Sequence, residues 1–155
     1  MASQTVATNR KARHEYTIEE SMEAGIELTG PEVKSVRARR VSLGEAYAQV
    51  QEGQVILQNM HIARYDAGGR HVAQDPTRPR RLLLHRAEVR RLERAVREKG
   101  VTLVPLRMYF NDRGYAKIEL GLARGKRQYE KREALKARDE QRRTDQAIRD
   151  RERRR

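Results

Sequence analysis

The chain has 155 residues, no cysteine, and 35 Lys plus Arg against 22 Asp plus Glu, a net charge of +13. That length favours a single domain, the missing thiols exclude disulfides and thiolate metal sites, and no apolar run approaches the ~20 residues that span a bilayer. The charge surplus is silent on fold but calls for a polyanionic partner, nucleic acid first.

Residues 1–12 are small and polar, then basic, and are expected to form a flexible N-terminal arm. They contain no apolar signal core, which makes the cytoplasm the default location. From His14 onward Tyr16, Ile18, Glu20 and Met22 alternate with Glu15, Thr17, Glu19 and Ser21. This predicts a strand pair or one long bent strand, with Gly25 at a bend or where another backbone comes close. Thr29-Gly-Pro-Glu32 reads as a helix start: Pro31 suits the first position and Glu32 the positive end of the dipole. Val33 and Val36 share one face of that helix, and Lys34, Arg37, Arg39 and Arg40 line a basic one.

Ala46 to Ile62 predicts a hairpin turning at Glu52-Gly53. Ala63 to Arg81 is a long connection containing Gly68-Gly69, His71 and the basic residues Arg70, Arg78, Arg80 and Arg81, and loops of this length are often functional. Leu82-Leu-Leu-His85 leads into a helix over Arg86 to Lys99. Its apolar stripe is Val89, Leu92 and Val96, with Arg90, Arg91, Arg94 and Arg97 off the stripe and Gly100 as the stop. Thr102 to Phe110 and Ala116 to Leu122 form a second hairpin around Asn111-Asp-Arg-Gly114. Six strands in hairpins with helices between them predict a mainly β, antiparallel body over residues 13–125. Such a small sheet hides both faces best by closing, as in a barrel of the oligonucleotide-binding (OB) type with two or three helices. An open α+β sheet with both helices on one face is the rival.

After Gly125 the alternation stops. Residues 126–155 hold 13 basic and 7 acidic side chains, with Leu135 and Ile148 as the only large aliphatics. Acids precede bases at helical spacing in Asp139–Arg143 and Asp145–Arg149, each such pair contributing ~0.2–0.5 kcal/mol. A lone helix of this kind is marginal in water. The expectation is a tail disordered when free and helical on a polyanion.

No chemistry is legible. Gly121-Leu-Ala-Arg-Gly125-Lys126 is one residue short of a phosphate loop, and Arg127 stands where Ser or Thr would hold Mg²⁺. His14, His61, His71 and His85 have no metal-pair spacing, and no serine nucleophile motif is present. Neither a cofactor nor a metal is expected, and the protein reads as a non-enzyme. Basic residues on the arm (Arg10, Lys11, Arg13), the first helix, the long loop and the Arg124–Arg127 junction point to RNA, with His14 and His85 beside them. Tyr47, Tyr65, Tyr109, Tyr115 and Tyr129 offer stacking surfaces.

Several segments together resemble the SsrA-binding protein family, SmpB (small protein B). They are Asn9-Arg-Lys-Ala-Arg-His-Glu-Tyr16, Glu23-Ala-Gly25, Gly30-Pro-Glu-Val-Lys-Ser-Val-Arg37 and Asp75-Pro-Thr-Arg-Pro-Arg-Arg-Leu-Leu-Leu-His85, then Gly100-Val-Thr-Leu-Val-Pro-Leu106, Gly121-Leu-Ala-Arg-Gly-Lys126 and Tyr129-Glu-Lys-Arg132. Pro31 and Arg81 are variants within them, and the extreme C-terminus is similar only in being basic. The resemblance implies an OB-type barrel and a monomer that works in trans-translation, the rescue of bacterial ribosomes stalled on mRNA without a stop codon. It implies that the barrel binds the tRNA-like domain of transfer-messenger RNA (SsrA RNA) and, with elongation factor Tu, delivers it to the empty A site. The tail then enters the vacant mRNA channel and folds there.

By the same resemblance, Glu23, Leu83 and Lys117 fall on the RNA-binding face, joined by Arg13, His14, Lys34 and Arg37. Arg124, Lys126 and Arg127 would grip RNA at the root of the tail. Tyr129 would stack near the decoding centre, and Lys131, Arg132, Lys136, Arg138, Arg142 and Arg143 would track ribosomal RNA phosphates. A structural ribosomal protein is the alternative, and a membrane role is not expected.

Overall fold

A computed structural model describes residues 4–65 and 75–153, and the side chains of all of these except 126–136. Gly68-Gly69, Arg70 and His71 of the long connection lie outside the described residues. The chain divides into two compact units, one ending at Arg124 and one beginning at Gly125.

The first unit opens on strand β1 (Gln4–Thr8), helix α1 (Arg10–Glu15), strand β2 (Tyr16–Ile26) and helix α2 (Gly30–Arg37). Two residues, Val41–Ser42, make β3, and the hairpin follows as β4 (Tyr47–Gln51) and β5 (Gln54–Gln58). Then come β6 (His61–Ile62), β7 (Arg80–Leu83), helix α3 (Arg86–Lys99), β8 (Thr102–Phe110) and β9 (Ala116–Gly125). The second unit is helix α4 (Lys126–Arg153).

The strands β8-β4-β5-β7-β2-β9 are bonded in that order, and β9 pairs back onto β8. Six strands thus form a closed ring, the OB-like solution rather than the open sheet, and ring closure removes the exposed edges. The ladders β2–β7, β4–β5, β4–β8, β5–β7 and β8–β9 are antiparallel. Strand β8 is long enough for its far edge to serve two partners: Leu103 meets Ala48 of β4, while Arg107–Phe110 meet β1. Inside the ring lie Ala24, Val55, Leu57, Leu82, Leu103, Met108, Ile118 and Leu120, capped by Val36 of α2 and Leu92 of α3.

The loose arm expected over residues 1–12 is therefore corrected from Gln4 onward. Asn9 explains why. Its buried amide donates to Leu43 O at 3.1 Å and Pro105 O at 2.8 Å, while its Oδ1 accepts the Ala12 N–H at 3.0 Å as the N-cap of α1. One short side chain fastens the N-terminal segment to β8 and starts a helix. Ala12 then packs with Val104, Leu106 and Ala123 in a second apolar cluster outside the ring, against Tyr16 and Ile18.

Strand β8 is consequently buried on both faces, where strict alternation predicted one. A bulge at Leu106 moves the register between Pro105 and Arg107. Before it Leu103 faces the core, and after it Met108 and Phe110 do, so the parity flips. Leu106 lies over Gly121, where an added Cβ would stand 3.0 Å from its Cγ. This close packing, rather than a phosphate, accounts for the glycine in the near-match to a phosphate loop.

The hairpin at Glu52-Gly53 turns as expected. Both residues have positive φ (51° and 76°), and Gln51 pairs with Gln54, the geometry of a two-residue I′ loop. Helix α3 occupies the expected span, but its inner face is Val89, Leu92 and Ala95, with Val96 exposed. Helix α2 carries a capping box in which Thr29 and Glu32 satisfy each other's backbone N–H groups.

Candidate nucleic-acid interface

Strand parity sets the geometry. On β2 the odd residues Glu19 and Glu23 are exposed, while Ala24 and Ile26 turn into the core. Gly25 pairs with Leu83 of β7, and a Cβ there would meet the Leu83 Cβ at 3.2 Å. The glycine thus lies against the neighbouring strand, as expected of it, and Leu83 stands out 45% exposed instead of joining the core. On the other side of β2, β9 brings Lys117 Nζ to 3.9 Å from Glu23 Oε1. Glu23, Leu83 and Lys117, far apart in sequence, converge on one outer face of the ring.

Tyr109, the register partner of Lys117, completes this cluster. It is buried, and its hydroxyl donates a short hydrogen bond to Glu23 Oε2. It is a support for the carboxylate and not the exposed stacking surface expected of it. Burial, then the hydrogen bond and charge of Glu23, push its phenol up to about 12, with the charge of Arg107 opposing. It is therefore a proton donor at neutral pH. Arg107 stacks over the ring at 4.2 Å and is held in turn by Glu119 Oε2 at 2.6 Å and Thr5 Oγ1 at 3.2 Å. Sequence reading missed Arg107 and this role of Tyr109. The signal that could have found them is parity, since beyond the bulge they face away from Met108 and Phe110 or flank them.

The Glu23 side chain is 54% exposed, so its pair with Lys117 contributes at most about 1 kcal/mol. Such a pair exchanges partners at little cost. One carboxylate oxygen is fixed by Tyr109, leaving lone pairs to accept from base amino or 2′-hydroxyl groups. The ammonium can turn to a phosphate, and Leu83, opposite Gly25 two residues along β2 from Glu23, offers apolar surface on the same face.

Arg124 lies 2.6 Å from Glu19 Oε1 along the same face of β2, a charge contact in which the Nε–H is not aimed at the carboxylate. Arg13 and His14 are exposed on the last turn of α1. Lys34 and Arg37 are exposed on α2, Lys34 5.4 Å over the Tyr65 ring and Arg37 5.7 Å over Phe110, the neighbour of Tyr109 on β8. Among the described residues, no hydrogen bond or ion pair joins these four to Glu23 or Lys117. Arg138, Arg142 and Arg143 are exposed on α4. The side chains of Lys126, Arg127, Tyr129, Lys131, Arg132 and Lys136 lie outside the described residues.

The tail's acids are not paired as expected. Asp145 and Asp150 accept from Gln141 at 3.2 Å and Gln146 at 3.3 Å, one turn earlier, and among the described residues no ion pair joins Asp139 to Arg143 or Asp145 to Arg149.

Arg78 and Arg80 also depart from expectation. Arg80 is fully buried and donates to Glu32 Oε2 at 2.6 Å, Met60 O at 2.6 Å and Pro76 O at 3.1 Å, while Arg78 reaches Glu32 Oε1 at 2.6 Å. Burial disfavours the Glu32 carboxylate, but hydrogen bonds from Arg78, the Thr29 N–H and Arg80, with the charge of Arg80, hold its pKa below the usual range. The two arginines fasten the end of the connection, residues 78–80, to α2. Among the described residues, no group of three or more His, Asp or Glu could hold a metal, and no helix is long and apolar enough to cross a membrane.

A family model described as SmpB protein matches residues 6–150 of the chain. The chain is 55% identical over 147 residues to the SsrA-binding protein of Moorella thermoacetica, covering 95% of this chain and 94% of that one. It is 53% identical over 148 residues to the SsrA-binding protein of Symbiobacterium thermophilum, covering 96% and 93%. A solved chain, described under "tmRNA-SmpB: a journey to the center of the bacterial ribosome", superposes with a TM-score of 0.64 at 53% identity, covering 77% of this chain and 82% of that one.

Proposed function

The chain belongs to the SmpB protein family, and from that premise we propose that it binds the tRNA-like domain of transfer-messenger RNA and delivers it to stalled ribosomes for trans-translation. The observation that carries this reading is the convergence of exposed Glu23 and Leu83 and half-buried Lys117 on one outer face, with Tyr109 fixing the carboxylate. Such a face supports recognition of folded RNA through 2′-hydroxyl, base-edge and phosphate contacts. Arg124 adds charge beside it, and Arg13, His14, Lys34 and Arg37 extend the basic surface over α1 and α2.

The division of labour follows from the two units. The ring carries the RNA face. The tail, 13 basic side chains against 7 acidic, supplies a cationic rod for the vacant mRNA channel. Every described side chain from Ala137 to Arg153 is exposed, which fits a helix stabilised by surrounding phosphate rather than by its own packing. Lys126, Arg127, Tyr129, Lys131, Arg132 and Lys136 would lie along its first turns. The protein works by binding, in the cytoplasm, as a monomer, with elongation factor Tu reached through the RNA. The relatives do not favour a structural ribosomal protein.

The test is a gel shift with the tRNA-like RNA. Lys117→Ala and Glu23→Ala should each weaken binding. Only the lysine change should flatten the dependence on log salt, by about one unit of slope. Wild-type affinity in both variants would refute this face as the site.

A further inference from the structure

A second charged surface stands apart from the one just described. On α3, Arg86, Arg90, Arg94 and Arg97 are all exposed. At 3.6 residues per turn they fall within an arc of about 80° along about 16 Å of the helix, and the buried Leu92 and Ala95 lie roughly opposite. Glu88 lies well away from that arc, while Glu93 and Glu98 flank it, about 20° and 40° beyond its two edges. Arg91, also outside it, pairs with Glu20 of β2. Among the described residues, none of the four forms an ion pair.

This row works against the helix that carries it. Arg86 and Arg90, Arg90 and Arg94, and Arg94 and Arg97 are like-charge neighbours at three- or four-residue spacing, and Arg86 sits at the positive end of the dipole. Glu93, three residues from Arg90 and four from Arg97, and Glu98, four from Arg94, stand at pairing spacing beside the row, yet among the described residues neither forms an ion pair with it. A rigid line of four cations matches a regular run of phosphates, and guanidinium groups suit phosphate geometry.

We propose that the outer face of α3 is a second RNA-binding surface that lies along the phosphate backbone of an A-form duplex, independent of its sequence. This goes beyond the recognition of a tRNA-like fold through Glu23 and Lys117 and does not depend on it.

The test uses the full chain with all four arginines changed to Gln, and binding to an arbitrary RNA duplex of about 20 base pairs, titrated against salt. The slope of log K against log salt should become shallower by about three to four units, and by about two in Arg90→Gln/Arg94→Gln, the smaller change should the fourfold variant not fold. The four-lysine variant should keep the slope. A wild-type slope in folded Gln variants overturns the proposal. So does intact duplex binding combined with lost binding to poly-glutamate or to anionic phospholipid vesicles, either of which would assign the face to another partner. Lys117→Ala in the tRNA-like gel shift fails or succeeds independently of this slope.

Discussion

Arg80→Met separates fold from RNA contact at a residue whose place in the chain suggests the latter. Its guanidinium is fully buried and makes three hydrogen bonds, one of them to a carboxylate whose side chain is only 8% exposed. Removing one partner of a buried ion pair costs about 3–5 kcal/mol, because the other charge is left without its counterion. Arg78 stays on Glu32 but is itself 39% exposed and screened by water, which places the loss at the lower end. For a body of this size each kcal/mol moves the midpoint by roughly 4 °C, so thermal unfolding should shift down by about 12 °C. Arg80→Met/Glu32→Leu should lose less than the sum of the two single changes, since no charge remains stranded. Below its midpoint, Arg80→Met should keep the wild-type salt slope for RNA. A loss under about 1 kcal/mol together with a shallower slope would make Arg80 a phosphate contact and refute the burial argument.

The other consequences are as specific. Tyr109→Phe removes the donor that orients Glu23. A hydrogen bond to a charged group contributes about 1.5–3 kcal/mol, so RNA affinity should fall by about tenfold or more in the wild type and not at all in a Glu23→Ala background, which has no acceptor left; additive losses would deny the coupling. Gly121→Ala puts a methyl group 3.0 Å from Leu106 and should cost about 1–3 kcal/mol by urea unfolding, partly relieved by Leu106→Ala; a neutral result would mean that the second cluster is loosely packed. The folded-state pKa of Glu32 lies below its unfolded value, so its contribution to stability is present above the ordinary carboxylate range and is lost as pH falls through the folded value. The stability gap between wild type and Glu32→Gln should therefore close on acidification, and a gap independent of pH would contradict the depressed pKa.

Local signals were legible in the sequence. The span of α3 up to Gly100, the turn at Glu52-Gly53 and the hairpin at Asn111–Gly114 each rest on a few adjacent residues whose chemistry dictates the backbone. What stayed hidden depends on partners distant in sequence. Asn9 reaches Pro105, and Glu32 reaches Arg80 across 48 positions, so a polar N-terminal segment read as loose although it is pinned from Gln4 onward, and Arg80 read as a basic loop residue although it is buried. The bulge at Leu106 reverses the parity of β8, so alternation alone misplaced half of that strand. At the candidate site, Glu23, Leu83 and Lys117 came from resemblance to a family and were each ambiguous alone. Tyr109 was legible only as an aromatic, because its role depends on the strand beside it.

The central claim is that the ring recognises RNA while the coreless cationic helix is needed only on the ribosome. Truncating the chain after Arg132 and measuring two activities tests it most directly: affinity for the tRNA-like RNA in isolation, and peptide tagging on stalled ribosomes. Tight RNA binding with no tagging is the predicted result. Lost RNA affinity with tagging intact would contradict it.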